Sequence, residues 1–162
     1  MSGRRILVTG GAGYIGSRLL EGLAQRLAAG ELDCVVAADV REVASAARRS
    51  GVDYVRHDVR EPGLGELLLA HRIDTVVHLA AIVTPGAGSN RELEYAVDVL
   101  GTRNVLDACV AAGVRQLVVT SSGAAYGYHA DNPAWLTEDD PVRGNEAFAY
   151  SHHKRLVEEM LA

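Results

Sequence analysis

The chain has 162 residues, of which 48% are hydrophobic and 23% are charged, with a formal net charge of −5 at pH 7. These values predict one globular domain with a buried core over residues 1–162, and they exclude the weakly hydrophobic, highly charged composition of disordered chains. No apolar run reaches the roughly 20 residues of a membrane span and no cluster of Lys and Arg is present, so we expect neither a membrane nor a nucleic acid as partner.

The N-terminus and the two cysteines predict a cytoplasmic protein. The segment Met1–Arg5 is too short, and too soon followed by glycines, to resemble a signal peptide. Cys34 and Cys109 stand apart in a predicted buried strand and a predicted helix, with neither metal-ligand spacing nor a disulfide framework. We interpret both as reduced thiols of the core, and we expect no metal site.

Short β-branched apolar runs alternate along the chain with longer segments of helical period, which indicates parallel strands joined by crossover helices. The predicted strands cover residues 6–9, 34–39, 52–57, 75–79 and 116–121. The predicted helices cover residues 14–29, 63–71, 91–112, and 149 to the end. This order predicts an α/β fold of the Rossmann type, a doubly wound parallel sheet with strand order 3-2-1-4-5 and right-handed crossovers.

Two segments between these elements look like functional loops. Residues 82–90 are rich in glycine, proline and serine, and residues 123–148 contain Pro133, Trp135 and Pro141. Both segments follow the carboxyl ends of predicted strands. In an open parallel sheet this is the edge at which ligands bind.

A glycine turn, residues 10–16, lies directly between the first predicted strand and the first predicted helix. Gly10 allows the tight turn, Gly13 lets the backbone approach a pyrophosphate, and Gly16 lets the helix pack closely on the strand. Free N–H groups and the positive end of the helix dipole would then face the phosphates. This context predicts a dinucleotide-binding site.

Asp39 ends the second predicted strand, about twenty residues beyond the glycine turn, where a carboxylate can accept hydrogen bonds from the adenosine ribose. It would repel a 2′-phosphate, which favours NAD. Arg41 follows two residues later, beyond Val40, and could pair with such a phosphate. NADP therefore stays open as the less favoured alternative.

Five further segments accompany the glycine turn and Asp39. They are His-Asp-Val at 57–59, His-Leu-Ala-Ala at 78–81, Gly-Thr-Arg-Asn-Val-Leu at 101–106, Thr-Ser-Ser-Gly-Ala-Ala-Tyr-Gly at 120–127, and Tyr-Ser-His-His-Lys at 150–154. Together, and in this order, the segments resemble the extended short-chain dehydrogenase/reductase family, the group of nucleotide-sugar epimerases, dehydratases and related reductases. The resemblance covers the whole chain.

The resemblance implies a role for each matching residue. Asp58 and Val59 would flank the adenine, and residues 79–81 would line the ribose and pyrophosphate, while Ser122, Tyr150 and Lys154 would be catalytic. The complete set of predicted cofactor-binding residues is Gly10, Gly13, Tyr14, Ile15, Gly16, Asp39, Val40, Arg41, Asp58, Val59, Leu79, Ala80, Ala81, Thr120, Tyr150 and Lys154.

The chemistry of the last motif supports its implied role. Tyr150 and Lys154 are four residues apart, hence on one helix face, so the lysine cation can favour the phenolate that exchanges a proton with substrate. Ser122 would hydrogen-bond the same substrate oxygen. His152 and His153 lie between the pair, but adjacent histidines on a helix point about 100° apart. We therefore interpret both histidines as solvated.

Two departures from the family pattern affect the predicted chemistry. Asp98 stands where many relatives carry asparagine, which puts the proton-relay role of that position in doubt. Gly123 and Ala124 occupy the positions where dehydratases carry an acid pair, which disfavours elimination of water. Tyr126, His129, Trp135 and Glu138 are candidate substrate contacts, although ordinary packing, with Trp135 as a loop anchor, is the favoured interpretation.

The resulting prediction is an NAD-dependent oxidoreductase or epimerase that transfers hydride at a hydroxyl or keto carbon of a sugar-like substrate. A non-catalytic dinucleotide-binding module and an NADPH-dependent ketone or aldehyde reductase are the alternatives. Relatives continue for about as many residues again, with further strands and a substrate domain, so we expect a fragment rather than a minimal cofactor-binding domain. A homodimer through helices 91–112 and 149–162 would be isologous.

Overall fold

The computed structural model describes residues 3–162, and its strands and helices follow the predicted order. The strands are β1 (Arg4–Thr9), β2 (Leu32–Asp39), β3 (Asp53–Arg56), β4 (Thr75–His78) and β5 (Gln116–Val119). The helices are α1 (Tyr14–Ala28), α2 (Leu64–Ala70), α3 (Arg91–Tyr95), α4 (Gly101–Ala112) and α5 (Ala149–Leu161). Short 3-10 turns cover Ser45–Ala47 and Gly123–Tyr126.

The predicted helix 91–112 is interrupted, because a π-helical turn over Ala96–Leu100 separates α3 from α4. Inside it, the backbone carbonyl of Asp98 accepts a hydrogen bond of 2.6 Å from the Thr102 hydroxyl. Such bonds from threonine to a carbonyl one turn earlier disturb the regular helical ladder. The prediction of one regular α-helix was therefore wrong at this turn. The spacing of apolar residues before and after the turn gives no sign of the interruption.

The described chain divides into two compact units. The first comprises the residues up to Ala80 together with Asn104–Thr120, and the second comprises Ala81–Arg103 together with Ser121–Ala162. The prediction of a single domain over residues 1–162 stays a prediction.

All five strands lie in the first unit and form one parallel sheet of order β3-β2-β1-β4-β5. The predicted fold class and strand order are confirmed. The central strand β1 places Val8 beside Ala37 of β2 and Val77 of β4. Because both faces of a central parallel strand are covered, its residues form an unbroken apolar run.

One core of the first unit lies between the sheet and α1. Leu20 and Leu23 of α1 pack in a buried cluster with Ile6, Val8, Leu32, Val35, Ala37 and Val52. Burying a leucine or valine side chain contributes roughly 1.5–3 kcal/mol. This packing fixes the glycine turn, since the turn joins β1 directly to α1.

The second unit is organised around α5 and the turn that precedes it in the chain. Ser151, fully buried in α5, donates a hydrogen bond of 2.7 Å to the carbonyl of Ala124 and accepts one of 2.9 Å from the N–H of Asn145. One hydroxyl thus connects the start of α5 to the 3-10 turn at residues 123–126 and to the end of the long loop.

Among the residues that the structure describes, no helix is both long enough and apolar enough to cross a bilayer.

Candidate functional site

The glycine turn in the first unit is packed so closely that side chains would not fit. A Cβ on Gly16 would lie 2.3 Å from the carbonyl oxygen of Gly10, and one on Gly10 would lie 2.8 Å from the N–H nitrogen of Ala80. Gly10 also has a positive φ of 69°, which L-residues other than glycine rarely adopt. The turn therefore packs closely against the start of α1 and the residues after β4. Tyr14 and Ile15 follow it with exposed side chains.

Thr9 holds the residues after β4 beside this turn. Its hydroxyl oxygen accepts hydrogen bonds from the N–H groups of Leu79 and Ala80 at 3.2 and 3.3 Å. The same oxygen is 2.7 Å from Nδ1 of the buried His78. Leu79 and Ala80, two predicted cofactor contacts, are thus fixed next to Gly10, while Ala81 belongs to the second unit.

Asp39 braces the glycine turn from the end of β2. Its Oδ2 accepts a hydrogen bond of 2.9 Å from the Ala12 N–H, and its Oδ1 accepts bonds from the backbone N–H and the Nε of Arg41 at 2.9 and 3.2 Å. The Asp39 side chain is 8% exposed, whereas that of Arg41 is 63% exposed. The predicted pair of Asp39 and Arg41 is therefore one bonded unit at the predicted ribose position.

A cavity of about 230 Å³ opens beside Asp39. Arg41, Arg48 and Arg56 line it together with Ala12 and Tyr54, among other residues of the first unit. The cavity adjoins the residues predicted to hold the adenosine half of a dinucleotide. Val40, predicted for the same site, is half exposed next to it.

Asp58 and Val59 are predicted to flank the adenine, and their side chains lie in different environments. Asp58 accepts hydrogen bonds from Arg60 Nε at 3.0 Å, and these bonds with the guanidinium hold the pKa of that carboxyl below its usual range. Val59 is buried, and its carbonyl accepts a hydrogen bond of 2.7 Å from the Asn104 amide. The backbone at residues 58–59 is thus fixed within the first unit.

Ser122, Tyr150 and Lys154 all belong to the second unit. Ser122 caps the 3-10 turn by accepting a hydrogen bond of 3.2 Å from the Ala124 N–H. Tyr150 is half-buried on the first turn of α5, and the Lys154 Nζ lies 5.7 Å from the centre of its ring. The spacing prediction that lysine and tyrosine share one helix face is confirmed, while their catalytic roles stay predictions.

Lys154 is buried, with 7% of its surface exposed. Burial lowers the pKa of its ammonium group, while the negative charges of Asp98 and Glu158 act in the opposite direction. A lysine cation in this setting titrates more readily than a solvated one.

Asp98 and His153 form a buried pair that the sequence analysis missed. His153 is 3% exposed, and its Nδ1 lies 3.3 Å from Oδ2 of Asp98. The prediction that His153 is solvated was therefore wrong. A carboxylate 55 residues away in the sequence holds the ring, and two adjacent histidines give no local sign of that contact.

His152 and Trp135 also depart from expectation. His152 is half-buried, and burial lowers the pKa of its imidazole, so it is not fully solvated either. Trp135 is 88% exposed, which contradicts its expected role as a loop anchor. Tyr126 and His129 brace the long loop instead, through contacts with the carbonyls of Thr137 at 2.9 Å and Gly144 at 2.8 Å.

Cys34, Asp53 and His71 bring one potential ligand atom each to within 4.8 Å of one another, in the first unit. No spacing in the sequence predicted this grouping. Burial raises the pKa of the Cys34 thiol, which favours the protonated form, and only the thiolate is a good metal ligand. Asp53 is exposed, and we assign the cluster no role.

The model of the NAD dependent epimerase/dehydratase family matches residues 6–162. A UDP-glucose 4-epimerase of Erwinia amylovora is 36% identical over 166 residues, which cover 96% of this chain and 47% of that protein.

Two solved structures agree with these matches. MoeE5, in complex with UDP-glucose and NAD, has a TM-score of 0.74 and 33% identity, covering 96% of this chain and 47% of its own. WbmG of Bordetella bronchiseptica, in complex with NAD and UDP, has a TM-score of 0.80 and 27% identity, covering 99% of this chain and 49% of its own.

The chain spans about half the length of the curated relatives that it matches. The match nevertheless extends over nearly the whole of this chain and includes the glycine turn, the Ser122 turn and the start of α5. The predicted family is confirmed: the chain belongs to the NAD dependent epimerase/dehydratase family.

Proposed function

We propose that the chain is the cofactor-binding and proton-transfer part of an NAD-dependent oxidoreductase or epimerase that acts on a hydroxyl or keto carbon of a nucleotide sugar. The placement of Lys154 against Tyr150 on one face of α5 carries the proposal, because a buried cation beside a phenol favours proton exchange. MoeE5 and WbmG, which hold NAD with UDP-glucose or UDP, make a UDP-linked hexose the first substrate to test.

In this proposal the first unit binds the cofactor. The N–H groups of the glycine turn receive the pyrophosphate, and Asp39 receives the adenosine ribose hydroxyls. Tyr14, Ile15, Val40, Arg41, Asp58, Val59, Leu79, Ala80, Ala81 and Thr120 complete the proposed binding set. Bound NAD would supply the hydride acceptor and donor. NAD is favoured over NADP because Arg41 is already bonded to Asp39, whose carboxylate repels a 2′-phosphate.

The second unit would handle the proton. Tyr150 would take the proton from the substrate hydroxyl or return it, Lys154 would stabilise the phenolate, and Ser122 would donate a hydrogen bond to the same oxygen. Gly123 and Ala124 follow Ser122 in the 3-10 turn and offer no carboxylate there, which favours epimerisation or dehydrogenation over dehydration.

The decisive experiment replaces the phenol of Tyr150. In the full-length protein we expect Tyr150→Phe to lower turnover of UDP-glucose and UDP-galactose by about 10²–10⁴-fold, the usual contribution of a general acid or base, while NAD affinity in calorimetric titration is retained. Turnover would be followed by the conversion of one sugar into the other and by NADH absorbance. Tyr128→Phe is the matched control, because Tyr128 is 71% exposed and its ring lies 6.0 Å from that of Phe148.

Each other result selects an alternative. Unchanged turnover in Tyr150→Phe contradicts the proposed acid/base role. NAD binding by the full-length protein without turnover of any nucleotide sugar or uronate would identify a non-catalytic dinucleotide-binding module. Tighter binding of NADP than of NAD would indicate the ketone or aldehyde reductase instead.

We further propose a homodimer through the helices at 91–112 and 149–162. These helices carry exposed apolar side chains, namely Tyr95, Leu100, Val110 and Leu161. Sedimentation at micromolar concentration tests the proposal, and a monomer there would contradict it.

A cytoplasmic location is the last part of the proposal. The free, buried Cys34 and Cys109 support it, because reducing compartments preserve thiols. Recovery of the protein in an extracytoplasmic fraction of its source cells would contradict it.

A further inference from the structure

Asp98 is a buried carboxylate in the π-helical turn between α3 and α4. Its side chain is 4% exposed. Its Oδ1 accepts a hydrogen bond of 2.8 Å from the backbone N–H of Ile82, and its Oδ2 faces Nδ1 of His153. Both carboxylate oxygens therefore contact polar groups of the second unit. π-Turns of this kind recur at functional sites, where they redirect a side chain.

His153 is held from two sides. An ionised carboxylate can only accept hydrogen bonds, so the hydrogen shared between Asp98 and His153 belongs to the imidazole Nδ1. The rings of Tyr95 and His153 also pack in a T-shaped arrangement, with ring centres 5.7 Å apart and planes at 70° to each other. This arrangement fixes the orientation of His153, and through it the position of the Asp98 carboxylate.

Lys154 follows His153 directly on α5 and is the single lysine in the chain, where Lys and Arg together number 16. Arginine stays charged at every ordinary pH, whereas a buried lysine can lose its proton. The electrostatic influence of Asp98 opposes the effect of burial on the pKa of Lys154. The chain thus has one lysine cation, and a buried carboxylate favours its charged state.

We propose that Asp98 and His153 are a positioning pair that keeps the Lys154 ammonium charged beside Tyr150. The proposal rests on the proposed function for its catalytic meaning, since it assigns to the pair the maintenance of the cation that Tyr150 uses. His153 keeps Asp98 ionised and oriented, and Asp98 in turn stabilises Lys154. Neither residue is assigned contact with substrate or cofactor.

The charged and titratable groups around the pair set the direction of the effect. Asp98 contacts His153 of α5 and the Ile82 N–H. Burial raises the pKa of Asp98 while the positive charge of Lys154 lowers it, and the charges of Asp98 and Glu158 raise the pKa of Lys154. His153 is also 6.1 Å from the His152 ring, centre to centre. Burial lowers the pKa of Lys154 and the Asp98 charge raises it. Removing that charge therefore lowers the pKa further, so Lys154 loses its proton at lower pH.

The uniqueness of Lys154 makes a direct test possible. Labelling the chain with ¹³C-lysine gives one Cε signal, whose shift against pH reports the titration of Lys154 without any turnover. We expect the midpoint in Asp98→Asn to fall below that of the unaltered chain. Glu159→Gln is the matched control, because Glu159 lies on the same helix, is half exposed and pairs with Arg155 at 3.6 Å. We expect that control to leave the midpoint nearly unchanged.

His153 is tested by two substitutions. His153→Gln keeps a side-chain donor, whereas His153→Leu removes it and so favours protonation of Asp98. We expect the acidic inflection of the Lys154 signal, which reports Asp98, to lie at higher pH in His153→Leu than in His153→Gln. Equal acidic inflections in the two variants would overturn the role of His153.

The proposal as a whole fails if Asp98→Asn shifts Lys154 no more than Glu159→Gln does. Should Asp98→Asn not fold, the unaltered chain suffices: the Lys154 signal must show a second, acidic inflection as Asp98 takes up a proton, and a single inflection contradicts the pairing. A shifted Lys154 midpoint together with no turnover in the full-length protein would contradict the proposed enzyme and still support the Asp98 and His153 pair. With turnover present, the alkaline limb of kcat against pH should move to lower pH in Asp98→Asn.

Discussion

Gly16 is the residue at which local geometry constrains the site most strongly. It lies in the first turn of α1, where the helix passes closest to the backbone of Gly10 and Gly11. A residue with a side chain would push the first turn of α1 away from the turn that precedes it. Such a side chain would disturb the packing of α1, and it would also change the alignment of the N–H groups that we propose face a phosphate.

We predict that Gly16→Ala destabilises the protein by about 1–3 kcal/mol, the usual cost of inserting a methyl group into a packed region, and abolishes measurable NAD binding. Gly22→Ala in the same helix is the control, because a Cβ there meets nothing within 4 Å. That change should stabilise the helix by about 0.5–1 kcal/mol. Urea unfolding and calorimetry provide the two readouts, and equal effects at both positions would refute the packing argument.

Asp98 and His153 illustrate a residue-scale feature that the sequence conceals. The carboxylate at position 98 is recognisable only as a departure from the family's asparagine, and the histidine looks like a surface residue of an amphipathic helix. Their contact joins α5 to the π-turn within the second unit. The same contact explains why a carboxylate is tolerated in a buried position, because its two oxygens receive an N–H and an imidazole.

At the scale of elements, Ser151 joins α5 to the turn that carries Ser122. The residue precedes His152 in the Tyr-Ser-His-His-Lys motif and has no surface exposed. Its hydroxyl donates a hydrogen bond to the Ala124 carbonyl of that turn. One buried hydroxyl thus connects the turn of Ser122 with the helix that carries Tyr150 and Lys154.

We predict that Ser151→Ala costs about 1–3 kcal/mol in the free energy of unfolding, because it leaves the Ala124 carbonyl and the Asn145 N–H without this hydroxyl. Ser17→Ala is the control, since the Ser17 hydroxyl is exposed and only returns a bond of 3.0 Å to the Tyr14 carbonyl. We expect that control to change stability by less than about 0.5 kcal/mol. Equal losses in urea unfolding would contradict the assignment.

At the scale of the whole molecule, acidic groups with a depressed pKa determine the response to pH. Asp74 joins three parts of the first unit: it accepts bonds from the Arg5 N–H at 3.0 Å and the Thr75 hydroxyl at 2.7 Å, and it pairs with Arg115 at 3.3 Å. Burial alone would raise the pKa of Asp74, but these contacts outweigh it and lower the pKa. A lowered pKa means that ionised Asp74 stabilises the fold.

This stabilisation is fully present above the unfolded-state pKa of about 3.9 and is lost as pH falls through the lower folded-state value. We predict that the urea concentration at half unfolding decreases as the pH is lowered below about 4. Asp74→Asn should lower this midpoint at pH 7 and should make its decrease at acidic pH less steep. Asp107→Asn, an exposed position on α4 in the same unit, is the control. A decline equally steep in Asp74→Asn would exclude the proposed linkage.

The sequence by itself determined the order and type of the elements, the sheet order, the glycine turn with Asp39, and the family. These features follow from short β-branched apolar runs, from a helical period of 3.6 residues, from glycine spacing, and from motifs confined to a few neighbouring positions. The Tyr150 and Lys154 pair also belongs here, because four residues make one helical turn.

Only the tertiary structure decided the π-turn at residues 96–100, the burial of His153, the exposure of Trp135 and the bond between Asp39 and Arg41. The burial of His153 depends on a contact made only after folding, because Asp98 and His153 are separated by 55 positions and no local pattern indicates that they meet. Burial then reverses the expected character of a side chain, since removing water makes a histidine and a carboxylate depend on each other.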